Sequence, residues 1–376
     1  MSDESANRPI APPPGSPPDR RDVSDPFAYL TAVGPVAEAT NQVVWLRAML
    51  AVEVALARAQ ADAGLIDGDD AAAVAEVDPG RLDLDRVFNE APLGGNPVIP
   101  LVAQLRAEVG PDHADSVHLG ATSQDVLDTA TMLVVYRSRR ALARPWMAAR
   151  DGLAALAAAH AADPMMGRTL GQHARPTTFG AVIDGWVAAL DQAWISVEVV
   201  TTPVQLGGPV GDDRSLGPDP TEVRAGTARW LGLADPGRNW HGDRTPILGA
   251  AAAWATAAAV VAKVAGDIVI LTTTDVGELN ERADEAGGSS SMPHKHNPVA
   301  AISARAAALQ VPGLLATLFQ AASGFELQRA AGPWHAEWPA LHHLLRATGS
   351  AAWWLAESVD RLTVDPVRAR HNLETS

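Results

Sequence analysis

Three short segments carry residue types that could do chemistry on an anion. The first is Gly287-Gly288-Ser289-Ser290-Ser291-Met292-Pro293-His294-Lys295-His296-Asn297-Pro298. Gly and Ser alone would make it an ordinary surface loop. A phosphate-binding loop is excluded, because no Gly-Lys-Ser/Thr triplet follows the glycines. The cation of Lys295 between two histidines argues against a metal. What remains is a lid closing over substrate: glycines as hinges, serines for proton transfer, Lys295 and Asn297 for a carboxylate. The second segment is His118-Leu119-Gly120-Ala121-Thr122-Ser123-Gln124-Asp125. Thr122 or Ser123 suits a helix N-cap and Asp125 its first turn, and the same geometry offers N–H groups and hydroxyls to an anion. The third is Gly167-Arg168-Thr169-Leu170-Gly171-Gln172-His173-Ala174-Arg175-Pro176-Thr177-Thr178-Phe179-Gly180, also placed just before a long helical run.

The elements that must hold these segments are helical. Residues 1–24 are Pro-rich and read as a disordered or extended arm. From 25 to 112, helical pieces alternate with breakers in an N-terminal helical domain. Val44, Leu46, Met49, Leu50, Val54 and Leu56 fall at helical spacing within Gln42–Ala63. Residues 113–362 carry five long helical runs: Ser123–Ala162, Thr177–Val200, Gly249–Leu279, Pro298–Ser323 and Glu337–Leu362. Pro145 is expected to kink the first and Pro312 to bend or break the fourth. Few strand signals accompany them, so the fold class is all-α, with a long central five-helix bundle. Alanine supplies much of the apolar content and lets helices approach closely. Apolar residues on more than one helix face point to an oligomer. The net charge of −15 repels phosphate backbones, so nucleic acid is not an expected partner. With no cysteine there is neither a disulfide framework nor a thiolate metal site. The polar start at Met1–Asn7 lacks the apolar core of a secretory signal. The alanine-rich stretch Gly249–Ala262, cut by Lys263 and Asp267, reads as too short and too weakly apolar to span a bilayer. The expectation is a cytoplasmic protein.

The segment at Gly287–Pro298 resembles the Gly-Ser-Ser-x-Met-Pro-x-Lys-x-Asn-Pro signature of the fumarase/aspartase superfamily. The other two segments resemble its two further shared regions, in the right order. The likeness runs from about Asp25 to the C-terminus. Within the superfamily, Gly95–Val102 (GNPVIPLV), Gly120–Asp125, Trp240-His241 and Gln328–Trp338 (QRAAGPWHAEW) are similar to the 3-carboxy-cis,cis-muconate cycloisomerases. That resemblance implies a cofactor-free enzyme for a tricarboxylate, acting through an aci-carboxylate intermediate. It implies a homotetramer in which three subunits build each site. It places the carbon acid/base on Ser289, with His173 able to assist. It assigns substrate contacts to His118, Thr122, Ser123, Thr169, Gln172, Lys295, Asn297 and Arg329, with Trp334 and His335 as further pocket residues. Arg168 is a third cation for the same cleft.

Two departures from the family stand out. Lyases of the superfamily usually carry a proton-donating His where this chain has Leu170, which speaks against adenylosuccinate or argininosuccinate cleavage. The family's third, smaller helical domain would begin near Asn372-Leu373, so residues 363–376 read as its stub. An adenylosuccinate-lyase-like enzyme that releases fumarate, and an inactive homologue serving as a scaffold, are the alternatives.

Overall fold

The structure, a computed structural model, describes residues 25–282, 287, 292 and 295–375. The elements that matter here are α1 (Gln42–Asp62), α2 (Val98–Val109), α3 (Ser123–Ala159), a hairpin of β1 (Pro164–Thr169) and β2 (Gln172–Thr178), α4 (Phe179–Glu198), α5 (Pro220–Leu231), α6 (Thr245–Leu271), β3 (Leu279–Glu281), α7 (Val299–Ala308), α8 (Val311–Ser323), α9 (Pro333–Asp360), β4 (Leu362–Val364) and α10 (Pro366–Glu374).

Local chemistry sets the helix starts. The Asn41 side chain accepts from Val44 N at 2.9 Å to open α1, and Thr178 accepts from Ala181 N at 3.2 Å to open α4. At α3, Thr122 is the N-cap, and its own N–H donates to Asp125 Oδ2 at 3.0 Å, one arm of a capping box. Pro333 at the first position of α9 fits a site where its missing N–H costs nothing.

The helical runs read from the sequence are present, with shifted edges. α3 runs unbroken through Pro145, which therefore does not end it. The fourth run does break, at Leu309-Gln310 just before Pro312, into α7 and α8. The third ends at Leu271, eight residues short of the expected Leu279. Gly167–Gly180 leads into α4 as expected, and most of it forms the β1–β2 hairpin, which the sequence did not signal. It turns on Leu170 (φ 52°) and Gly171 (φ 78°) between the paired residues Thr169 and Gln172. Two left-handed residues in a two-residue loop make a type I′ turn, whose twist matches the strands.

α3, α6 and α9 begin at one end of the bundle and finish at the other. They pack with α4, α7 and α8 around an interior of alanines and of Trp146, Trp186, Trp240, Trp254 and Trp334, all sealed from solvent. Small residues set the spacing: a methyl on Gly349 would sit 2.3 Å from Val36 Cβ. α1 lies across the bundle against α3 and α5. After α9, the chain does not trail away. β4 pairs with β3, and α10 docks through buried Ala369 and through Asn372, whose amide donates to Glu278 Oε1 at 2.8 Å.

Among the described residues, two helices are long and apolar enough to cross a membrane: Thr245–Leu271, and Val299–Ser323 taken as one span. This corrects the reading of Gly249–Ala262, which is part of a 27-residue helix. Both spans lie in the bundle, where less than half of their most apolar windows (44% and 39%) is covered by this chain.

Candidate functional site

The end of the bundle where α3, α6 and α9 begin is built on buried charge. Asp125, fully buried, accepts from Thr122 N, Gln205 Nε2, Gly207 N, Gly208 N and His241 Nε2, all between 2.8 and 3.2 Å. One carboxylate thus fastens the first turn of α3 to the Gly207-Gly208 loop and to Trp240-His241. One turn further along α3, Asp128 accepts from Arg244 Nη1 at 2.7 Å, Arg244 Nη2 at 3.1 Å, Trp334 Nε1 at 3.0 Å and Gln124 Nε2 at 3.1 Å. Arg244 reaches Glu337 with its other edge, at 2.6 Å. Its guanidinium also lies over the rings of Trp240 and Phe325, each 5.1 Å to the centroid. Burial opposes the charge on Arg244, but Asp128 and Glu337 outweigh it and hold the pKa above its ordinary value. Burial, the largest influence on Glu337, raises that carboxyl against the pull of Arg244.

On this foundation stands Arg329. Its Nε donates to Gln124 Oε1 at 3.1 Å and its Nη2 to Thr122 Oγ1 at 2.7 Å, while its guanidinium lies 5.8 Å from the Trp334 ring centroid. Arg329 remains exposed, so it offers a fixed positive charge at the mouth of this end. Ser123, half-buried, follows Thr122 at the helix start. His335 is exposed and packs against Trp338 with its ring tilted by 48°, centroids 4.6 Å apart. His118 sits on the loop leading to Thr122, with Nδ1 2.7 Å from Glu53 Oε1.

The opposite end holds the remaining candidates. Thr169, Gln172 and His173 lie on the hairpin and are exposed, and Leu170 at its tip is fully exposed. Arg168 is anchored below them: its guanidinium meets buried Glu278 through two bonds of 2.9 and 2.7 Å. This fork fixes the hairpin base and corrects the expectation that Arg168 serves an anion cleft. The segment from Gly287 to Pro298 roots at the same end. Glu281 accepts from Ala300 N, Ala301 N and Ser358 Oγ, capping α7. The Asn297 N–H and side-chain amide both donate to Gly287 O, at 2.9 and 3.1 Å. Lys295 is exposed. Ser289, the candidate acid/base, lies outside the described residues.

The structure therefore gathers His118, Thr122, Ser123, Arg329, Trp334 and His335 at one end, and Thr169, Gln172, His173, Lys295 and Asn297 at the other. α9, 28 residues long, separates them by roughly 40 Å. Trp334 is corrected from a pocket residue to a buried support: it is 2% exposed, its N–H is taken by Asp128, and its ring lies beneath Arg329. Sequence reasoning missed Asp128, Arg244 and Glu53, and it gave no site role to Gln124, Asp125 and Glu337 although they lie in the stretches it singled out. Gln124 and Asp125 were visible as polar residues in a helix start, but Arg244 is 116 residues from Asp128 and 93 from Glu337, and no spacing rule connects them.

This bundle, with a capped helix and a fixed arginine at one end and Gly287, Asn297 and a hairpin at the other, is the architecture of the fumarase/aspartase superfamily, and the chain belongs to its lyase 1 family. A model of that family, described as a lyase, matches residues 31–313. The chain is 41% identical to nitrosuccinate lyase of Streptomyces davaonensis over 355 residues, covering 90% of this chain and 75% of the relative. It is 40% identical to 3-carboxy-cis,cis-muconate cycloisomerase of Bradyrhizobium diazoefficiens, covering 88% of this chain and 75% of that one. The crystal structure of the 3-carboxy-cis,cis-muconate lactonizing enzyme from Pseudomonas putida superposes with a TM-score of 0.86 at 33% identity, over 93% of this chain and 80% of that one.

Proposed function

We propose that the chain is a cycloisomerase that converts 3-carboxy-cis,cis-muconate to 4-carboxymuconolactone in protocatechuate (β-ketoadipate) catabolism. The observation that favours this reading over a lyase that must protonate its leaving group is Leu170. It stands at the fully exposed tip of the hairpin, where a lyase of this superfamily would use a proton-donating side chain. A leucine cannot move a proton. Lactone closure does not ask it to, because the attacking group is a carboxylate already ionised at neutral pH.

In this reading a carboxylate oxygen adds across a double bond of the substrate. The negative charge spreads onto a neighbouring carboxylate, and Ser289 delivers a proton to the adjacent carbon. Lys295 and Asn297 hold the carboxylate that gathers charge, and each such donor contributes about 3–4 kcal/mol in the transition state. Arg329, set by Thr122, Gln124 and the Pro209 carbonyl, takes another carboxylate on its Nη1 side. Thr169, Gln172 and His173 face the substrate from the hairpin.

The two sets of residues lie too far apart for one chain to join them. We therefore read the enzyme as a homotetramer, in which neighbouring copies run antiparallel and lay the hairpin end of one against the Arg329 end of another. Support comes from the incompletely covered apolar helices, with exposed Ile270, Val299, Ile302, Leu309 and Phe319. A fully active monomer, seen by light scattering at assay concentration, would remove this part.

Nitrosuccinate lyase activity is the second reading, favoured by the 41% identity to that relative. Eliminating nitrite from nitrosuccinate breaks a C–N bond as a proton leaves the neighbouring carbon. Nitrite is a weak base and departs as the anion, so this reaction is also compatible with Leu170.

One assay separates the readings. Purified protein is mixed in turn with carboxymuconate, following loss of the conjugated diene absorbance, and with nitrosuccinate, following nitrite release. Rapid diene loss that Ser289→Ala abolishes supports the cycloisomerase. Nitrite release alone selects the second reading. Inertness toward both, from a folded tetramer, rejects both.

A further inference from the structure

α1 holds the loop that carries His118 with two side chains from one face. Glu53 and Gln60 stand seven residues apart, two helical turns, and both are 1% exposed. Gln60 Nε2 donates to Leu119 O at 2.7 Å, an ordinary tie between a helix and a loop. Glu53 meets the next residue back, with Oε1 2.7 Å from His118 Nδ1. Its Oε2 is buried and has no hydrogen-bond partner among the described residues. Gln60 leaves its own Oε1 buried without a hydrogen-bond partner among the described residues, so what sets Glu53 apart is its sealed charge, which is a costly way to hold a loop that the neutral Gln60 already holds. What a carboxylate supplies that a neutral side chain does not is a charge for the ring.

The ring is placed to use that charge. His118 adopts a left-handed backbone (φ 62°), and its side chain is 15% exposed. With Nδ1 tied to the core, Nε2 is the nitrogen left to meet a ligand. Four residues on, Thr122 carries Arg329.

We propose that Glu53 is a positioning residue that keeps His118 as a positively charged ring, adding a second cation to the Arg329 end for the carboxylates of an anionic substrate. This rests on reading that end as a carboxylate site. The groups around the ring agree. Burial, the largest single influence, opposes the charge. The charge and hydrogen bond of Glu53 on α1, joined by Asp125 on α3, outweigh both burial and Arg106 on α2, so the His118 pKa lies above its ordinary 6.5. The cation is therefore present below that raised pKa and lost as pH climbs through it.

The test is a titration of the full-length protein carrying 13C-labelled histidine, with His118 assigned by its disappearance in His118→Gln. The probe is tricarballylate, a non-reacting tricarboxylate. The wild-type midpoint is expected above 6.5 and should rise further with saturating tricarballylate, because a bound anion favours the charged ring. Glu53→Gln, which keeps the shape and removes the charge, should lower the midpoint by at least one unit, a tenfold shift. Gln60→Ala breaks the other tie without altering charge and should leave the midpoint in place. The inference fails if tricarballylate does not move the wild-type midpoint, a result that needs no variant to fold. It fails equally if Glu53→Gln leaves the midpoint unchanged, or if Gln60→Ala shifts it as far. None of these readings depends on turnover. An enzyme inert toward carboxymuconate whose His118 titrates as described loses the proposed reaction and keeps the pair.

Discussion

The two ends of the bundle are made of similar residue types and solve different problems. At the Arg329 end the buried charges beneath that arginine are bound to one another within the chain. Asp125 satisfies five donors, and Arg244 lies between Asp128 and Glu337. At the hairpin end the roots are fixed by Arg168–Glu278 and by Glu281 on the start of α7, while Thr169, Leu170, Gln172, His173 and Lys295 are exposed. The contrast teaches that one end is shaped by folding of the chain alone, and that the other presents side chains for something the single chain does not supply.

Several substitutions would break or sharpen this contrast. Ser289→Ala should lower kcat by about 10³-fold or more, since it removes the proposed proton donor. Retention of a tenth of the activity would take the acid/base role away from Ser289. Arg244→Met should act the opposite way, costing about 3–5 kcal/mol of stability by stranding two buried carboxylates, read by urea unfolding. A loss below about 1 kcal/mol would mean that the charged foundation is dispensable. Arg329→Lys should raise KM about tenfold with kcat little changed, because an ammonium cannot reproduce the fork to Thr122 and Gln124.

A smaller effect follows from pH. His118 has a raised folded pKa, so its pairing with Glu53 stabilises the fold fully below pH 6.5, and that contribution disappears as pH rises through the folded value. The stability gap between wild type and Glu53→Gln should therefore narrow with rising pH. A gap independent of pH would show a packing effect. The smallest change is Leu170→Asn. Asparagine tolerates the left-handed turn better than leucine, so the isolated chain should gain about 0.5–1 kcal/mol. A fall in Tm that appears only in the assembled protein would show that Leu170 is gripped by a neighbour.

Much of the helical frame was legible in the sequence, because apolar spacing and caps are local signals. Val44 to Leu56 on α1, Thr122 at the head of α3 and the break before Pro312 were all readable one turn at a time. The hairpin was not, because its strands lack an alternating apolar pattern: β2 reads Gln-His-Ala-Arg-Pro-Thr-Thr and most of it is exposed. It forms because a two-residue turn and a buried Glu278 fasten it. α6 was drawn too long because Val276 and Leu279 continue the apolar rhythm after the helix has stopped at Leu271. Trp334 looked like a pocket residue because tryptophan beside histidine and arginine suggests a ligand wall. Only the fold shows its N–H spent on Asp128.

The loops beneath Arg329 leave almost no room for change. A methyl on Gly120, whose φ is +70°, would fall 2.1 Å from Ser215 O, and one on Gly208 would fall 2.1 Å from Ser215 Oγ. Random variation there is filtered out by collapse of the fold before it can alter which molecule is processed. Evolvability must then reside where a new side chain meets open space, on the exposed face of the hairpin. A library aimed at a new reaction should therefore be spent on residues 169–173 rather than on the loops around Gly120.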